Sequence, residues 1–207
     1  MSSWGPLESD PIDSDKARSE QPGQRLVRLG VLLYAGMAGV ALIWRVLIQG
    51  EPMFFVSASV QDQGWMLWRD GALGVGAGLG VVLLSDLLTT RTQWGEALSR
   101  RLAQAVGPLT WSQCIILALV SGLGEEMFFR GALQPAVGLG WASLLFGLMH
   151  FAPERALLPW TGFAAVMGVV FGLLYLGTGN LLAPILAHGV INGVNLPRLV
   201  RRHAQEA

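Results

Sequence analysis

Six mostly apolar stretches dominate this chain, at roughly Leu26–Ile48, Gly71–Thr90, Trp111–Leu133, Val137–Phe151, Trp160–Leu176 and Leu181–Val200. A helix needs about 20 such residues to cross about 30 Å of hydrocarbon, and only the fourth stretch is clearly short. A short span must be tilted or shielded by its neighbours. The fold expected is therefore all-α: a polytopic transmembrane helix bundle of about six spans. Composition agrees. Of 207 residues, 52% are hydrophobic and 14% charged, against roughly 25% charged in a soluble domain. That is too little charge to cover a water-facing surface. The formal net charge is zero, so nothing electrostatic points to nucleic acid. Cys114 is the only cysteine and reads as a small hydrophobe in an apolar run.

The ends differ from the middle. Residues 1–24 carry Glu8, Asp10, Asp13, Asp15 and Glu20 among three prolines, the composition of a disordered acidic tail. They contain no apolar run of the kind a cleavable signal has, so the first span is expected to be an uncleaved anchor. Residues 25–200 are expected to form the transmembrane domain and 201–207 a basic tail in which His203 is solvated. Between the second and third spans, Trp94, Ala97, Leu98, Leu102, Ala105 and Val106 recur at helical spacing, with Arg91, Glu96, Arg100 and Arg101 mostly off that face. An amphipathic interfacial helix fits this pattern.

Basic residues suggest an orientation. With six crossings and a cytoplasmic N-terminus, the inside segments carry Lys16, Arg18, Arg25, Arg28, Arg91, Arg100, Arg101, Arg155, Arg198, Arg201 and Arg202. The outside loops carry only Arg69. Cytoplasmic loops accumulate Lys and Arg, so both termini are expected in the cytoplasm of a cell whose plasma (bacterial inner) membrane holds the protein. Arg45 falls near a span end and could snorkel. Asp86 lies near the end of the second span with no evident partner. Gly74, Gly76, Gly78 and Gly80 mimic a phosphate loop, but they lie within a span, where small residues four apart let helices approach closely.

Ionisable groups at membrane depth are costly and are functional candidates by default. They concentrate in three segments: Gly124-Glu125-Glu126-Met127-Phe128-Phe129-Arg130, Phe146-Gly147-Leu148-Met149-His150 and His188-Gly189-Val190-Ile191-Asn192. Glu126 and Arg130, four apart, share a helix face and can pair. Glu125 is rotated by about 100° from Glu126 and is left as the reactive carboxylate. His188 and Asn192 project from one face. Phe146 lies one turn before His150 and can wall its ring. A hydrolase needs a base to activate water and donors to hold an oxyanion. Glu125 with His150 could supply the first, and His188 with Asn192 the second.

These three segments resemble the motifs of the CPBP family of CAAX proteases and bacteriocin-processing proteins: Glu-Glu-x-x-x-Arg, Phe-x-x-x-His and His-x-x-x-Asn. All are intact at Glu125, Glu126, Arg130, Phe146, His150, His188 and Asn192. The resemblance covers a motif-bearing core at about 110–197. It implies an all-helical membrane endopeptidase acting on a membrane-associated or lipidated protein or peptide. It also implies that Glu125 and His150 activate water while His188 and Asn192 form the oxyanion site. Glu125, His150 and His188 could instead provide a His-His-Glu zinc set. A mechanism without metal or other cofactor is preferred, because Asn192 is a poor zinc ligand and the would-be ligands are far apart in sequence. Two other readings use the same residues: a noncatalytic bacteriocin-immunity or binding protein, and a small transporter, for which no internal repeat is visible. One geometric conflict stands in the sequence. At 1.5 Å per residue, Glu125 and His188 fall toward the outer side of their spans and His150 toward the inner side of its own. Convergence requires tilt, an offset fourth helix or shifted boundaries.

Overall fold

The computed structural model describes residues 22–203; most of the expected acidic tail and the last four residues lie outside that range. Helix α1 (Pro22–Leu42) begins inside the expected tail and continues through a π-helical turn to Ile48. A loop and the short α2 (Ala58–Gln63) lead to α3 (Leu67–Arg91). The amphipathic α4 (Gln93–Val106) follows, then α5 (Trp111–Glu126), a π-helical stretch Met127–Leu133 and α6 (Gln134–Met149). Helix α7 (Leu158–Thr178) and α8 (Leu182–Arg202) complete the bundle. Among the described residues there is no strand, only one isolated bridge between Phe55 and Asn180.

By length and composition, four helical runs are able to cross a membrane: Pro22–Ile48, Leu67–Arg91, Trp111–Met149 and Arg155–Thr178. The outward faces carry exposed Leu47, Ile48, Trp68, Leu83 and Leu119, as expected where the solvent is lipid. The protein is an integral membrane protein. Its sixth apolar stretch, α8, is helical as expected, but its polar residues keep it out of the four apolar runs.

Helix α8 is central, packing against α3 on one side and α5 on the other, while α1 covers α5 and α6 pairs with α7. The expected glycine packing holds for half of its set. A Cβ on Gly74 or Gly78 would strike the Ala183 or Ala187 carbonyl oxygen of α8, whereas Gly76 and Gly80 face open space. The Glu125–Arg130 region lies between two apolar clusters. One is built on Phe129, Phe146 and Phe171, the other on Met53, Met127, Tyr175 and Leu181.

The fourth apolar stretch is where the expected outline changes most. It is not one helix over Val137–Phe151. Gly138, at φ 84° and ψ 163°, breaks the run, in a backbone region open essentially only to glycine. The chain reverses there and is helical only over residues 139–149, about 16 Å. It then turns through residues 151–154 to reach α4, where Glu154 pairs with Arg101 at 2.9 Å.

Three side chains depart from expectation. Arg45 does not snorkel: it is buried and clasps the following loop through Val56 O at 2.8 Å, Gln49 Oε1 at 3.1 Å and Pro52 O at 3.4 Å. His203 is not solvated but buried, its Nε2 3.1 Å from Ser99 Oγ of α4. Asp86 has a partner, Arg202, at 3.5 Å. On α4 the buried stripe is Gly95, Ser99 and Ala103, with Leu98, Leu102 and Val106 at its margin and Trp94 exposed.

Candidate active site

All seven residues singled out in the sequence meet at one level of the bundle. Glu125 and Glu126 end α5, and Arg130 follows in the π-helical stretch. Phe146 and His150 come from α6, His188 and Asn192 from α8. The reversal at Gly138 resolves the depth conflict. The chain travels about 20 Å beyond Glu125 before turning and about 18 Å back to His150. This offset short helix delivers His150 Nε2 to 3.9 Å from Glu125 Oε2.

The two glutamates have different surroundings. Glu126 is fully buried and shared: Arg130 Nη1 donates to its Oε1 at 3.2 Å, and His188 Nδ1 lies 2.8 Å from the same oxygen. Arg130 also donates to the Gly168 carbonyl at 3.2 Å, and its guanidinium lies 4.3 Å from the Phe146 ring centre and 5.3 Å from that of Phe171. This buried cation is thus held by a carboxylate, a carbonyl and aromatic faces. Glu125 points elsewhere. Its Oε2 is buried, has no hydrogen-bond partner, and stands 3.9 Å from Nε2 of both His150 and His188.

The far nitrogen of each imidazole is committed. His150 Nδ1 lies 2.8 Å from the Phe146 carbonyl, which can only accept, so Nδ1 carries the proton and Nε2 faces the cavity. Phe146 walls that ring at 4.8 Å, and Phe171 stacks on His188 at 5.0 Å. Asn192 Nδ2 donates to Ser121 Oγ at 3.0 Å. These groups line one cavity of about 830 Å³, mostly apolar, that extends from Glu125 toward α4 and the Arg198 and Arg202 end of α8.

Sequence reasoning missed three contributors: Tyr34, Ser121 and Phe171. Ser121 had a visible signal, since it lies four residues before Glu125 on the same face of α5. Tyr34 had a weaker one, a rare tyrosine at mid-depth of an otherwise apolar span. Phe171 had none.

The zinc set was tested on donor spacing. Zinc binds nitrogen and oxygen at about 2.0–2.2 Å, so tetrahedral ligands lie about 3.4 Å apart. Glu125 Oε2 stands 3.9 Å from each imidazole. One ion at bonding distance from all three would need angles opened well beyond tetrahedral. A water at about 2.8 Å from oxygen and nitrogen bridges the same gap at an angle near 90°. Among the described residues no group of three or more His, Cys, Asp or Glu is spaced to hold a metal ion. The residues as they stand fit a water better than a zinc.

Comparison with known proteins bears on this half of the chain. Residues 107–194 match the family described as type II CAAX prenyl endopeptidase, Rce1-like. Over those residues, which carry all three motifs, the chain is similar to the CAAX prenyl endopeptidases. A similar protein is the uncharacterized protein YpbD of Bacillus subtilis (strain 168), 45% identical over 82 residues. That alignment spans 39% of this chain and 42% of YpbD. No solved structure matches.

Proposed function

We propose that this protein is an intramembrane endopeptidase that hydrolyses a peptide bond of a membrane-associated or lipidated substrate with water activated by Glu125 and His150. The observation that carries this reading is the unpartnered, buried Glu125 Oε2 facing two imidazole nitrogens at 3.9 Å, a gap that one water can bridge. Glu125 takes the water proton as the oxygen attacks the scissile carbonyl. The resulting oxyanion is held by Asn192 and by His188 Nε2. That role asks His188 to carry both ring protons, and Glu126 behind it supplies the counter-charge it shares with Arg130. Collapse breaks the C–N bond as protonated Glu125 returns its proton to the leaving nitrogen, directly or by way of His150 Nε2. Phe146 and the Glu126–Arg130 pair hold these groups in register. The apolar lining of the cavity suits a substrate that arrives from the bilayer.

In this reading the chain passes the membrane six times. Short α6 and the turn that follows it make the fourth pass, and both described ends lie on the cytoplasmic side. Arg91, Arg100, Arg101, Arg198, Arg201 and Arg202 at the α4 end against Arg69 at the other support that orientation. No metal is required.

The test uses full-length protein in liposomes and a farnesylated peptide ending in a CAAX sequence, with the released tripeptide measured by mass spectrometry. Glu125→Gln and His150→Ala are expected to lower kcat by about 10²–10⁴ with unchanged thermal unfolding. Full activity in both variants refutes the reading. Chelator-induced loss restored by zinc alone refutes its metal-free form.

A further inference from the structure

Helix α1 lies outside the family match, yet it enters the site. It crosses α5 backbone to backbone: a Cβ on Gly124 would stand 2.6 Å from the Tyr34 carbonyl oxygen and 3.0 Å from its Cα. A side chain at that position would force α1 away, and the position is the residue before Glu125. The close approach sets the half-buried Tyr34 against the turn of α5 that carries Glu125. Tyr34 lines the same cavity as Glu125, His150, His188 and Asn192.

That placement bears on a question left by the two glutamates. Glu126 is held by Arg130 and His188. The imidazoles nearest Glu125 stand at 3.9 Å, beyond hydrogen-bond length. Tyr34 is the phenol in the lining of that cavity, on its α1 side, and a hydrogen bond from it would fix the Glu125 carboxylate. An ionised carboxylate only accepts and a phenol donates, so the direction of such a bond is set. One donor on the α1 side would remove the rotational freedom of a long side chain and leave Oε2 free for water between the two imidazoles.

We propose that Tyr34 is a positioning residue: its O–H donates to the Glu125 carboxylate and holds it in the orientation that addresses the water. This rests on the assignment of Glu125 as the water activator, so the experiment separates the two. Tyr34→Phe, Tyr34→His and Glu125→Gln are made in the full-length protein and assayed in liposomes with the farnesylated CAAX peptide. The infrared carboxyl band of Glu125 is identified by its disappearance in Glu125→Gln. In Tyr34→Phe, kcat is expected to fall about 10- to 100-fold, KM to change less than about twofold, and the band to move. Tyr34→His, which restores a ring donor, recovers part of kcat. A Tyr34→Phe enzyme with wild-type kcat beside an inactive Glu125→Gln overturns the proposal and leaves Glu125 as activator. A kcat loss that follows melting temperature rather than the presence of a donor also overturns it. If Glu125→Gln stays active, the assignment of Glu125 falls, and an unmoved band in Tyr34→Phe then rejects the contact as well.

Discussion

Replacing Gly138 with alanine isolates what the chain reversal contributes. At φ 84° and ψ 163° the residue occupies a region that alanine enters only at a cost of about 1–3 kcal/mol. A Cβ there meets nothing within 4 Å, so the cost is purely one of backbone conformation. The chain can relieve it by rotating at residue 138. His150 lies about 18 Å away along the returning helix, so a rotation of about 10° moves its imidazole by about 3 Å. The gap to be bridged is 3.9 Å, and a misplacement of about 1 Å can lower a rate by about 10²-fold. The prediction is a loss of about 1–3 kcal/mol in unfolding free energy, with a fall in kcat of at least about 10²-fold. Denaturant unfolding in detergent and peptide cleavage in liposomes measure the two. Gly140→Ala is the control, since this neighbouring glycine is helical and also meets nothing within 4 Å. It should be neutral or stabilising by up to about 1 kcal/mol. A Gly138→Ala protein with wild-type stability and wild-type kcat refutes the idea that this reversal sets the position of His150.

Two further outcomes follow from the packing. Arg130→Met strips a fully buried carboxylate of its cation and should destabilise by about 3–5 kcal/mol; adding Glu126→Gln should recover part of that in the same unfolding assay. Gly74→Val drives a side chain into the Ala183 backbone of α8 and should lower the thermal midpoint markedly. Gly76→Ala, on the open face of the same helix, should leave that midpoint unchanged or raise it slightly.

Much of the outline was legible because membrane insertion imposes a length and a composition that can be counted. The expected spans at Leu26–Ile48, Gly71–Thr90 and Trp111–Leu133 correspond to observed helical runs within a few residues. The Glu126–Arg130 pair and the Phe146 wall on His150 were legible because spacing of four residues along one helix fixes a shared face. The same rule found His188 and Asn192, which line one cavity. The errors concern partners from elsewhere in the chain. Nothing near His203 in sequence can bury it, yet it is buried with its Nε2 3.1 Å from Ser99 Oγ of α4. The span-end position of Arg45 leaves snorkelling open, because its loop partners come within reach only when the chain turns back.

By itself the sequence determined that this chain enters a bilayer, that it is helical there, and which buried groups are candidates for its chemistry. Hydrophobic length and the cost of burying charge are local properties, written residue by residue. The tertiary structure alone decided how those groups are placed and partnered. It sets Glu126 between Arg130 and His188, brings Tyr34 across Gly124 to the turn that carries Glu125, and turns the fourth stretch at Gly138 so that His150 arrives at the same depth. Those relations depend on backbone approach between distant helices and on one backbone angle, and no periodicity along the chain encodes either.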